Sequence, residues 1–94
     1  MKSVKLYFPE TEEFILAVEG TGDNLLDEDV AQGYNDYIMA TIYRAEGSEF
    51  VELDGGQIMS KKLISDMTDD EFVAKVLRYW YRDLDDLSDY EVLK

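Results

Sequence analysis

The sequence has no cysteine, no histidine and a single proline, Pro9. Without cysteine there is no disulfide, no thiolate nucleophile and no cysteine-ligated zinc or iron–sulfur centre. Without histidine, the commonest general base and commonest metal ligand are missing. Bases are scarce: 9 Lys and Arg stand against 22 Asp and Glu, for a net charge of −13 and a pI of about 4.1. Phosphate contacts need a basic face, so direct binding to nucleic acid is disfavoured, and an anionic membrane repels such a chain. No apolar run approaches the roughly 20 residues of a membrane span. The alternating stretch 4–8 is too short for the apolar region of a signal peptide. The expectation is a cytoplasmic protein.

What is present argues against disorder. Hydrophobic residues make up 46% and aromatics 13% of 94 residues, more than a solvating acidic tail contains. The length fits one domain spanning 1–94, with no repeat and no low-complexity linker. A chain of this size buries only about 60–65% of its unfolded surface, so a second core is not expected.

Val4, Leu6 and Phe8 alternate with Lys5 and Tyr7, the period of a half-buried strand. Pro9 and its neighbours read as a turn into 14–18 (FILAV), which is apolar on both faces and suits a strand covered on two sides or paired centrally. Asp27 suits the cap of a single helical turn closed by Gly33; an irregular loop is the alternative. Residues 34–44 (YNDYIMATIYR) have long-strand composition, 45–49 carry a glycine and read as a hairpin loop, and 50–53 read as the returning strand. Asp54-Gly55 signals a tight hairpin turn, which makes 57–59 a short fifth strand. Thr68 with Glu71 three residues on is a capping box. Phe72, Val73, Val76, Leu77 and Trp80 then form the apolar stripe of a helix, with Trp80 in the core. Leu63 to Met67 suits a short lead-in helix, and 90–93 a last edge strand. These elements predict an α+β fold: an antiparallel sheet of four to five strands over 4–59, a helical part over 60–89, and one main C-terminal amphipathic helix packed on one face.

The charge is unevenly placed. Residues 6–60 hold 13 acids and one base, Arg44, while residues 61–94 hold nine acids and six bases. The sheet half is therefore the half that presents an acidic surface to a basic protein partner. Glu10, Glu12, Glu13, Asp23, Asp27, Glu28, Asp29 and Asp36 are the candidate contact residues. In its sharpest form this is DNA mimicry, with carboxylates standing in for phosphates. Area scaling gives about 5,600 Å² of surface, roughly one acid per 250 Å². B-DNA has about one charge per 110 Å², so mimicry requires the acids to share a face. An acidic surface kept for solubility, in a small structural or oligomerising protein, is the competing reading.

Other constellations carry less. Asp23, Asn24, Asp27, Glu28 and Asp29, and again Asp83, Asp85 and Asp89, offer hard oxygen ligands, but neither set matches the EF-hand spacing or its sixth-position glycine. Solvated loops are the simpler account, and no metal or cofactor is expected. Gly20-x-Gly22 lacks the third glycine and the long helix of a nucleotide fingerprint. A domain this small offers little cleft to desolvate a carboxylate pair, so no catalytic residue is assigned. Tyr7, Tyr34, Tyr37 and Tyr43 interleave with acids; exposed they suit a protein interface, and buried they are core or edge packing. Lys75, Arg78 and Arg82 form a small basic ridge that suits pairing with nearby acids.

The stretch EGTGDNLLD at 19–27, followed by Gly33-Tyr34, Asp36-Tyr37-Ile38 and ELDGGQ at 52–57, resembles small acidic reading frames of conjugative transposons and related mobile elements of Gram-positive gut bacteria. The resemblance covers roughly 4–60. It implies a bacterial, cytoplasmic accessory protein, and such elements often encode inhibitors of host defence. It carries over no functional residue.

Overall fold

The computed structural model describes residues 2–20, 25–80 and 90–93. Five strands, β1 (Ser3–Phe8), β2 (Glu13–Glu19), β3 (Asp36–Glu46), β4 (Glu49–Ser60) and β5 (Glu91–Leu93), form one antiparallel sheet in the order β4-β3-β2-β1-β5. Helix α1 (Asp27–Ala31) precedes β3, and α2 (Asp69–Trp80) follows β4 after a 3₁₀ turn at Ile64–Asp66. The α+β class and the single main helix are as the sequence pattern predicts. The expected terminal edge strand is β5, beside β1.

Alternation sorts the strand residues by face. On one face lie Leu6 and Phe8 of β1, Ile15 and Ala17 of β2, Ile38, Ala40 and Ile42 of β3, and Ile58 of β4. All are buried, and they form a single cluster with Ile64, Met67, Phe72, Val76 and Leu77. The capping box forms as expected: the Glu71 N–H donates to Thr68 Oγ1 (3.1 Å), and the Thr68 N–H to Glu71 Oε1 (3.1 Å). Trp80 is only partly buried at the margin of the core.

Three local expectations are corrected. Asp54-Gly55 does not turn the chain; β4 runs unbroken through it, with a register shift opposite Ile42/Tyr43. Gly55 and Gly56 pair with Thr41 and Ala40 inside the ladder. Glycine here admits a close approach instead of a turn, because a Cβ on Gly56 would collide with the ring of Tyr79. The β3–β4 turn falls inside the expected 45–49 loop, at Gly47-Ser48, where Gly47 takes a positive φ of 64° at the first central position, as a II′ loop requires. The α1 cap falls one residue early: Leu26 is the N-cap, and its N–H donates to the Asp29 carboxylate (3.2 Å). Gly33 does close that helix, with Gly33 N–H on Val30 O and Tyr34 N–H on Asp29 O. Finally, of the two accounts of the apolar 14–18 stretch, central pairing holds and double coverage does not: β2 lies between β1 and β3, and Leu16 and Val18 are exposed on the second face.

Candidate functional site

The second face of the sheet carries the feature of interest. Register places Glu91, Tyr7, Phe14, Tyr43 and Glu52 in one row across all five strands. Three aromatic rings are thus bounded at both sheet edges by carboxylates. Strands lie about 4.8 Å apart, so the row spans roughly 19 Å. Tyr7 stacks on Phe14 (4.7 Å, 24°), and Phe50 meets Phe14 edge-on (5.3 Å, 82°). Phe50 is 64% exposed. Leu16, Val18 and Met39 continue the apolar surface toward the other end of the strands. A shallow depression of about 240 Å³ lies among Lys5, Phe14, Leu16, Tyr43 and Phe50. Lys5 is the one base at a strand position on this face.

The same end of the sheet gathers carboxylates. The β1–β2 and β3–β4 turns lie side by side, joined by the Ala45 N–H donating to Glu12 O (2.9 Å). Glu12 adopts the left-handed conformation there (φ 56°). Glu10, Glu12, Glu46 and Glu49 are exposed at these turns, and half-buried Glu13 faces Arg44 at 3.9 Å. Aromatic row and glutamates therefore adjoin.

Of the eight acids singled out from the sequence, the seven that are described do not come together. Glu10, Glu12 and Glu13 are at the hairpin-turn end. Asp27, Glu28 and Asp29 are on α1 next to the start of β3, and a strand the length of β3 puts the two groups roughly 30 Å apart. Asp23 lies outside the described residues, as do Asn24, Arg82, Asp83, Asp85 and Asp89. Asp36 is a correction: it is 8% exposed, and both its oxygens are occupied, by the Tyr37 N–H (2.8 Å) and the Ile64 N–H (2.9 Å). A carboxylate spent in this way on backbone donors fastens the 3₁₀ turn to β3 and is not a contact residue. Tyr37 is core-like at 1% exposure, whereas Tyr7 and Tyr43 are half-buried in the aromatic row.

Glu46, Glu49, Glu52 and Glu91 carry no sequence signal that groups them. The alternation of each strand places them on a face, but only the cross-strand register joins them to the aromatics. No group of three or more Asp and Glu able to hold a metal occurs among the described residues, and no described helix is long and apolar enough to cross a membrane. At Glu71, hydrogen bonds from Lys62 and then from the Thr68 backbone lower the carboxyl pKa. Among the described residues neither Lys75 nor Arg78 is in an ion pair, against the expectation that this ridge pairs with acids. No family model, curated protein or solved structure matches the chain.

Proposed function

We propose that the chain acts by binding, as a non-enzymatic acidic interaction module whose docking surface is the aromatic row with its adjoining glutamates, and whose partner is a basic protein. The carrying observation is the row Glu91–Tyr7–Phe14–Tyr43–Glu52. An exposed apolar centre with a charged rim is the anatomy of a protein interface. Aromatic faces also attract ammonium and guanidinium groups by about 0.5–1 kcal/mol at exposed sites. Rim carboxylates add little affinity each but raise the rate of encounter with a basic surface. The reading takes α2 as the layer over the opposite face, which the shared hydrophobic cluster supports.

In its narrower form the partner is a nucleic-acid-binding protein and the chain is a decoy that mimics DNA. With the α1 acids roughly 30 Å from the hairpin end, that form needs a partner with two basic patches at this spacing. A cytoplasmic accessory role on a bacterial mobile element accords with the resemblance at 19–57.

The test is fluorescence anisotropy with a labelled peptide alternating arginine and leucine. Binding should weaken about tenfold in Phe50→Ser combined with Glu52→Lys, and should fall with salt. Equal affinity for variant and parent would overturn the proposal. A second reading, a small oligomerising protein, is favoured by the exposed Leu16 and Val18 of β2 and Met39 of β3, and by the short strand β5 at the sheet edge. Monomeric sedimentation across concentration would remove it.

A further inference from the structure

At the other edge of the sheet, β4 pairs only with β3 among the described residues. At its end, over Ile58, Met59 and Ser60, β4 borders a groove of about 950 Å³ shared with α2. Lys61, Lys62, Lys75 and Arg78 line it, with the rings of Tyr34 and Tyr79. These are four of the nine bases in a chain that has 22 acids. Against them the lining has two acids, Asp70 and Glu71, and Glu71 is held by Lys62 (3.0 Å) and by Thr68. The local balance is therefore positive where the whole molecule is strongly negative. Ile58, Met59, Met67 and Ala74 supply apolar lining.

We infer that this groove takes an extended acidic peptide segment, added to β4 as a further strand. The chemistry has three parts. A free strand edge supplies main-chain hydrogen bonds to any extended chain, and the groove beside it supplies side-chain selectivity. In an added strand alternate side chains face the same way, so carboxylates at every second position meet Lys61, Lys75 and Arg78 while the intervening side chains meet the groove's apolar part. The occupant is acidic because the groove concentrates the positive charge. It is short, because a polyanion extending past the groove meets the carboxylates of the rest of the chain. The same repulsion favours a peptide over a nucleic acid strand.

The test uses the full chain and four labelled probes: a peptide alternating glutamate with threonine and valine, the same peptide with lysine for glutamate, the glutamate peptide with a central proline, and a single-stranded oligothymidine. The glutamate peptide should bind and the lysine peptide should not. Proline should weaken binding about tenfold, since it removes a ladder donor. Lys61→Glu with Arg78→Glu, both at exposed positions, should weaken the glutamate peptide about tenfold, and the milder Lys61→Gln with Arg78→Gln severalfold. Phe50→Ser should leave it unchanged, which separates this groove from the aromatic row. Equal binding of the two charge forms, indifference to proline or to the Lys61 and Arg78 variants, or binding of oligothymidine in preference to the glutamate peptide, would each overturn the inference.

Discussion

Trp80 donates its indole N–H to the Asp54 carboxylate (3.0 Å), tying the last residue of α2 to the point where the register of β4 shifts. At the opposite end of the helix, Lys2 meets Asp69 (3.1 Å). The helix is thus fastened near β1 at its start and to edge strand β4 at its end. Only the Trp80 contact is a directional bond from a partly buried ring. Trp80→Phe keeps most of the apolar contact and loses the hydrogen bond, so it should cost about 1–2 kcal/mol. A double-mutant cycle with Asp54→Ala in urea melts should return a coupling of about 0.5–1.5 kcal/mol. Additive effects would mean that the bond contributes nothing.

Asp36 makes a separate prediction. Its two oxygens accept the Tyr37 and Ile64 N–H groups, and Ile64 is fully buried. Asp36→Ala leaves those donors without an acceptor in a place water does not reach easily, and should cost about 3 kcal/mol. Asp36→Asn keeps one acceptor oxygen and should cost roughly half of that. Both are read from the midpoint of chemical denaturation. Neither should change binding of the arginine–leucine peptide, because the carboxylate is not on that surface. A weakened affinity in well-folded Asp36→Asn would return this residue to the contact set.

The contrast between Asp36 and Glu71 shows which features a sequence reveals. Thr68 and Glu71 lie three residues apart and satisfy each other, so their pairing is local and readable. Asp36 caps a donor 28 residues away, and nothing in its neighbourhood announces it. Asp54-Gly55 misleads for the opposite reason: the local turn signal is strong, but an eleven-residue β3 offers ladder partners along its whole length, and pairing overrides it. The aromatic row lies further still from sequence, since it needs the register of five strands at once. The charge asymmetry of residues 6–60 was legible, but its division between two ends of the sheet was not.

Glu71 carries the one pH prediction. Hydrogen bonds from Lys62 and from the Thr68 backbone lower its pKa below the ordinary value of 4.5. A carboxyl whose pKa is lower folded than unfolded adds stability above the unfolded value. That stability is lost as pH falls through the folded value. Glu71→Gln should therefore reduce the acid dependence of stability below pH 4.5, while parent and variant run parallel at neutral pH. Urea melts at closely spaced pH values check this. Identical acid limbs for parent and variant would show that the capping carboxylate has no role in acid unfolding. Lys62→Gln should give part of the same change, because it removes the first of the two causes.

Gly20 and Gly55 should respond in opposite ways to the same substitution. A Cβ on Gly20 would press into the ring of Tyr37, which is 1% exposed and has no room to swing aside. The Gly20 N–H also donates to Tyr37 O (2.9 Å), which fixes the two backbones at that separation. Gly20→Ala should therefore cost about 1–3 kcal/mol by overpacking. A Cβ on Gly55 meets only ordinary contacts, the closest being Ala40 O at 3.7 Å. Gly55→Ala removes freedom from the unfolded chain without strain in the strand and should stabilise by about 0.5 kcal/mol. Tyr37→Leu supplies the control: with the ring gone, Gly20→Ala in that background should lose most of its penalty. If the penalty persists there, the backbone around Gly20, and not the ring above it, is what excludes the methyl group.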